Sequence, residues 1–209
     1  MKNLYKFLLI QTLKFSNFIY KLISFLAIKA EDGLHPKHRL IGYHNFFLNN
    51  VSSSDTVLDI GCGNGALACD VAGKAKAVTG IDIEEKNIKK ARSKYSRSNV
   101  KYVVGDATSD LSGEKFDAII LSNVLEHIED RVAFMKSLKG LAVKYLIRVP
   151  MIDRDWVPLY KRELGIEWRL DLTHYTEFTE ATFRKEIAEA GYKVDSLSVQ
   201  YGEIWAVLS

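Results

Sequence analysis
The 209-residue chain is 47% hydrophobic and 26% charged, enough for one α/β domain with appendages and too short for two. No Pro-rich, Ser-rich or repeated tract interrupts it, and Cys62 and Cys69 have no partner Cys or His at zinc-finger spacing, so they read as reduced, incidental thiols of a cytoplasmic protein. The net charge of +3 is unevenly placed: Lys2, Lys6, Lys14, Lys21 and Lys29 precede the first acid, Glu31, and the mildly acidic remainder argues against nucleic acid as a partner.

Residues 1–30 read as a basic amphipathic helix. At helical spacing the lysines and Asn17 gather on one side, and Leu4, Leu8, Phe15, Ile19, Leu22, Ile23 and Leu26 on the other. Lysines recur so often that no apolar run reaches the ~20 residues of a membrane span. Two readings stand side by side. The helix lies in the plane of an anionic membrane surface at the inner membrane face, with Tyr5 and Tyr20 near the interface, or its apolar face packs on the domain as a cap over a ligand site. A cleaved signal peptide is disfavoured, because lysines interrupt the apolar region and no small-residue cleavage site follows. Residues 31–53 form a helical cap or linker, with a second helix from His35 through Leu48 and a turn at Ser52–Asp55.

From residue 54 onward short apolar runs alternate with amphipathic stretches. Strands are expected at 56–60, 77–81, 100–104, 117–121 and 143–149, and helices at 65–72, 85–95 and 131–138. A helix at 179–190 and a hairpin of 193–200 with 203–208 close the domain. This pattern gives an α/β fold with a mostly parallel sheet, a C-terminal antiparallel hairpin and helices on both faces.

Val57-Leu58-Asp59-Ile60-Gly61-Cys62-Gly63-Asn64-Gly65 is a strand running straight into a glycine-rich turn and a helix. Glycines there let a ligand approach the backbone closely. The turn runs Gly-x-Gly-x-Gly, unlike the dinucleotide pattern. Asp59, two residues before it, suits a ligand carrying an ammonium and a sulfonium better than a pyrophosphate.

In these residues the chain resembles the class I S-adenosylmethionine (SAM)-dependent methyltransferases, over roughly residues 54–209. The resemblance implies a Rossmann-like, seven-stranded fold with SAM as cofactor. It implies a cofactor site of Asp59, Gly61, Cys62, Gly63, Gly65, Asp82, Ile83, Asp106, Ala107 and Asn123. Asp82 closes the second strand, where a carboxylate can accept both ribose hydroxyls. Asp106 would contact the adenine amino group with Ala107 beside the ring, and the stretch from Phe116 to Asn123 matches the fourth motif, under the methionine portion.

Asn123-Val124-Leu125-Glu126-His127-Ile128 resembles the Leu-Glu-His-Ile segment of small-molecule methyltransferases, including quinone O-methyltransferases. His127 reads either as a general base for a hydroxyl acceptor or as a brace of its loop. Some relatives of that type hold a divalent metal with Glu-x-x-Glu-His; here Asn123 replaces the first Glu, and no metal is assigned. Residues 150–178 are long for a connection and read as a lid or substrate wall. Arg154, His174 and Tyr175 are its substrate-side candidates, so His127, His174 and Tyr175 form the catalytic set. The expected activity is methyl transfer to a hydroxyl of a small-molecule, glycan or lipid-linked acceptor. A catalytically silent SAM-fold binding protein and an RNA or protein methyltransferase are the alternatives.

Overall fold
The computed structural model describes residues 1–31, 35–110 and 113–209; the stretch 32–34 of the expected linker lies outside the described residues. Seven strands form one sheet: β1 (Thr56–Ile60), β2 (Ala77–Asp82), β3 (Val100–Val104), β4 (Phe116–Ser122), β5 (Ala142–Pro150), β6 (Val194–Gln200) and β7 (Glu203–Leu208). Their order is β3-β2-β1-β4-β5-β7-β6. All pairings are parallel except those of β7, antiparallel to both neighbours. This is the Rossmann-like methyltransferase fold read from the sequence.

The apolar runs explain the layers. Consecutive strand residues face opposite ways, so Ile119, Leu121, Ile147 and Val149 enter one core, with Met135 and Leu138 of α6 (Arg131–Leu138) and Phe183 and Ile187 of α8 (Glu180–Glu189). Ala118, Ile120 and Leu146 enter the other. There they meet Phe47 of α3 (His44–Asn49), Val71 of α4 (Ala66–Ala72) and Ile88 of α5 (Glu85–Lys94). Connections from β1 and β4 leave in opposite directions along the sheet, which opens a crevice at their carboxyl ends, where open α/β sheets hold ligands.

Three elements differ from expectation. The single helix expected at 35–48 is two, α2 (Lys37–Ile41) and α3, because Gly42 ends α2 in the left-handed conformation with φ 62°. The segment 150–178 contains α7 (Trp156–Glu163), capped by the Asp155 carboxylate accepting from Val157 N at 2.9 Å. Finally α1 (Lys2–Ala30) docks through its lysine-bearing side. Leu13 is buried, and the Asn17 amide donates to the Glu167 carbonyl at 2.8 Å. Leu4, Phe15, Ile23 and Leu26, on the opposite side, stay 54–60% exposed. The apolar stripe therefore does not pack on the domain as a cap.

Candidate functional site
The glycine turn is tied to β2 from both sides. Gly61 N and Cys62 N donate to the Ile81 carbonyl at 2.8 and 3.1 Å, and Gly63 N donates to Asp82 Oδ2 at 2.9 Å. Asp82 Oδ1 accepts from Glu84 N at 2.8 Å and Asn87 Nδ2 at 3.3 Å. Gly65 starts α4 at φ 83°, and a Cβ on it would meet the Tyr102 hydroxyl and Ala91 Cβ at 2.7 Å. A Cβ on Gly61 would meet Val124 Cγ2 at 2.8 Å. The turn thus admits only glycine at these two places.

A cavity of about 800 Å³ opens at the carboxyl ends of the strands. Gly61, Asp82, Ile83, Asp106, Ala107 and Asn123 line it, and His127, Asp171 and Thr173 reach its edge. Beyond Gly61 a second cavity, about 440 Å³, is lined by Asp59, Cys62 and Gly63 together with His38, Tyr43 and His44. The sequence-named ligand residues therefore divide between two openings that share Gly61. Gly65 lines neither and shapes the turn instead.

Burial sets the electrostatics. Asp59 is 2% exposed, its Oδ2 has no partner, and desolvation, then the nearby Asp82 charge, push its pKa up to about 8. Asp106 moves the other way, held below the usual carboxylate range because Thr108 donates to its Oδ1 through the hydroxyl at 2.7 Å and the amide at 2.8 Å. Burial pushes the Cys62 thiol up, which makes it a poor nucleophile. Asn123 sits at φ 58° with its side-chain Oδ1 buried and unpartnered. A left-handed residue at the end of β4 is the kind of local strain that accompanies function.

The second group joins distant segments. Glu126 is fully buried, both its carboxylate oxygens lack partners, and burial pushes it up to about 8. His127 Nδ1 lies 3.0 Å from Thr173 Oγ1, which donates to Asp171 Oδ1 at 2.8 Å. A hydroxyl has one proton to give, so Nδ1 of His127 is the donor and Nε2 keeps its lone pair. His174 Nδ1 is 3.1 Å from Glu177 Oε1, which likewise leaves Nε2 free. One ligand atom from each of Glu126, His127 and His174 lies within 4.8 Å of the others, a set able to hold a divalent cation or share a proton. His174 is buried, whereas Tyr175 is exposed and reaches the group through its backbone N donating to the Glu126 carbonyl at 2.8 Å. Arg154 is occupied, donating to the Glu177 carboxylate and to Met151 O at 2.7 Å.

Sequence reasoning missed Thr173 and Asp171, whose Asp-x-Thr spacing is an ordinary capping pattern. It also missed the wall of the second cavity. There His44 Nδ1 meets Asp70 Oδ2 at 2.6 Å and the Arg148 guanidinium lies 3.9 Å from the Tyr43 ring centroid.

Residues 58–143 match the methyltransferase domain family. The sheet order and the glycine turn agree with that match and with the fold of class I SAM-dependent methyltransferases. Among relatives, the chain is 28% identical over 163 residues to a ubiquinone biosynthesis O-methyltransferase of Bartonella quintana, covering 71% of this chain and 64% of that one. It is 31% identical over 146 residues to a ribosomal protein L11 methyltransferase of Dechloromonas aromatica, covering 65% and 48%. The chain spans about half the length of the curated relatives it matches, 44% for an uncharacterized methyltransferase of Mycobacterium bovis. The magnesium protoporphyrin IX methyltransferase of Synechocystis, solved with bound SAH, superposes at a TM-score of 0.60 with 22% identity, covering 81% of this chain and 78% of that one, a likeness of fold.

Proposed function
We propose that the protein transfers a methyl group from SAM to a hydroxyl of a small-molecule, glycan or lipid-linked acceptor. The observation that carries this reading is the pair of openings about Gly61, with the unpartnered Asp59 carboxylate in one and His127 at the edge of the other. An acid with an orphaned oxygen beside a backbone cradle fits a cationic ligand that approaches closely. Asp59, Gly61, Cys62 and Gly63 would hold the methionine end, Asn123 the junction, and Asp82, Ile83, Asp106 and Ala107 the nucleoside. When bound, SAM supplies an electrophilic methyl on a sulfonium, so the chain contributes positioning and a base rather than a nucleophile.

His127 is the base. Thr173 and Asp171 fix its tautomer, and its free Nε2 accepts the proton of the acceptor hydroxyl. Burial, then the neighbouring His174, hold the His127 pKa below the ordinary histidine value, so the ring is neutral and ready to accept at neutral pH. His174, aligned by Glu177, supports this ring at a centroid distance of 4.8 Å, and Tyr175 offers a surface for the acceptor. The O-methyltransferase relative supports a hydroxyl acceptor. The outward apolar stripe of α1 and its lysines support a peripheral position on an anionic membrane surface. Among the described residues no helix is long and apolar enough to cross a membrane.

Calorimetry tests the cofactor site and labelled SAM tests the chemistry. Asp82→Asn keeps the volume but turns one acceptor into a donor facing Gly63 N or Glu84 N, so the turn and acceptance from ribose weaken together and SAM affinity should fall by about tenfold or more. His127→Asn should leave SAM affinity alone and cut methyl transfer by about a hundredfold or more. A wild-type protein that binds no SAM would refute the reading, and one that binds SAM but transfers nothing to any extract would favour a silent binding protein.

A further inference from the structure
A third cavity, about 390 Å³, lies between α1, α7 and the segment after α7, away from the glycine turn. Lys161 sits where α1 meets the domain, its Nζ donating to Ser16 Oγ at 3.1 Å and Asn17 Oδ1 at 2.6 Å. The residue is 8% exposed, and among the described residues no carboxylate lies within 4.0 Å of that ammonium. The acids nearby are committed: Glu167 to Arg169 at 2.7 Å, Glu177 to Arg154, and the Asp155 carboxylate to Val157 N. An ammonium buried among neutral acceptors is costly, and burial, then Arg154, hold its pKa below the usual lysine range. Two acceptors also leave one of its three N–H donors uncommitted.

An anion in the cavity would supply the missing counter-charge. Lys21 of α1 lines the same cavity without an acid partner among the described residues, and two ammonium groups lacking a counter-charge suit a multiply charged anion better than a carboxylate. Tyr20 and Trp168 add flat apolar surface. The cavity also leads to the site already described. Arg169 and Leu172 line both it and the depression at Tyr175, and His127 and Thr173 line both that depression and the large cavity.

We infer that the cavity at Lys161 binds a phosphoryl group of the acceptor, whose methylated end reaches His127 along the wall from Arg169 to Tyr175. This rests on reading the large cavity as the methyl-donor side. Either a lipid-borne or a soluble phosphorylated acceptor presents that chemistry, and the test separates them.

The full chain is titrated with inorganic pyrophosphate. Wild type binds, and Lys161→Met weakens binding about tenfold or more. Ser16→Asp, which sets a carboxylate beside the ammonium, also abolishes binding and raises the melting temperature. SAM affinity, at a separate place, stays within about twofold in both variants. Competition by phosphatidylglycerol vesicles, and none by phosphatidylcholine, assigns the phosphoryl group to a lipid; pyrophosphate binding that vesicles leave untouched assigns it to a soluble acceptor. Equal binding by wild type and Lys161→Met, or no binding by wild type, overturns the inference. Failure of wild type to bind SAM would instead remove the methyl-donor reading and leave the pyrophosphate comparison intact.

Discussion

The carboxyl groups of Asp59 and Glu126 are shut away from solvent with oxygens that find no donor, and both are pushed up to about 8. A folded-state pKa raised above the unfolded value means that folding takes up protons. The resulting stability is full below the ordinary carboxylate range, near 4, and is lost as pH rises toward 8. Glu167, pulled down to about 2 by Arg169, acts oppositely and loses its contribution only below about 4. The free protein should therefore melt at a higher temperature near about pH 5.5 than near about pH 8.5, and Asp59→Asn should flatten that slope in thermal scans. Saturating SAM should flatten it too, by giving the Asp59 carboxylate a cationic neighbour; an unchanged slope would take Asp59 out of the ligand site. Asp59, Asp82 and Asp106 could be picked out from sequence because each falls at a strand end that the apolar runs define. Glu126 could not, since nothing in Leu125-Glu126-His127 says that the middle side chain turns inward.

Among the secondary-structure elements, α1 is the one whose surroundings the sequence left open. A hydrophobic stripe announces that something covers it, not what. The structure docks the helix by Leu13, Ser16 and Asn17 and leaves the stripe outward. Replacing Ile23 and Leu26 by Glu should abolish flotation with phosphatidylglycerol vesicles while the melting temperature and SAM affinity hold, since neither side chain is buried. Loss of folding in that variant would mean the stripe packs on the domain after all. The strands were readable almost to the residue, because a run such as Ala118-Ile119-Ile120-Leu121 serves two cores at once and has no amphipathic alternative. Helix α7 was not, although Asp155 is a proper cap and Pro158 is tolerated in the first turn. Its mixed charged and aromatic residues look like any surface excursion. Gly42 likewise reads as a tolerated helix glycine until its left-handed backbone is seen to divide α2 from α3.

A buried ion pair ties the parallel strands to the C-terminal hairpin. Arg148 of β5 meets Glu203 of β7 at 2.6 and 2.5 Å, Trp205 Nε1 joins the same carboxylate at 3.1 Å, and Tyr43, ahead of α3, covers the guanidinium. Glu203→Gln leaves a buried guanidinium without its counter-charge and should cost about 3–5 kcal/mol in urea unfolding. Replacing Arg148 by Met and Glu203 by Leu together should cost much less; a double variant as weak as the single one would mean that shape, not charge, matters there. Fold class and the succession of elements were accessible from their alternation, whereas this lock was not, because its partners lie 55 positions apart and nothing between them marks the pairing.

Strand β7 is the last strand in sequence yet lies inside the sheet, between β5 and β6. As the chain leaves the ribosome, β6 emerges with no neighbour to join, and the β5 edge stays open until residues 203–208 follow. Five parallel strands and the ligand crevice can assemble earlier, so a nascent polypeptide would hold a nearly formed cofactor cradle while one border of its sheet was still available to chaperones or to a neighbouring unfinished copy.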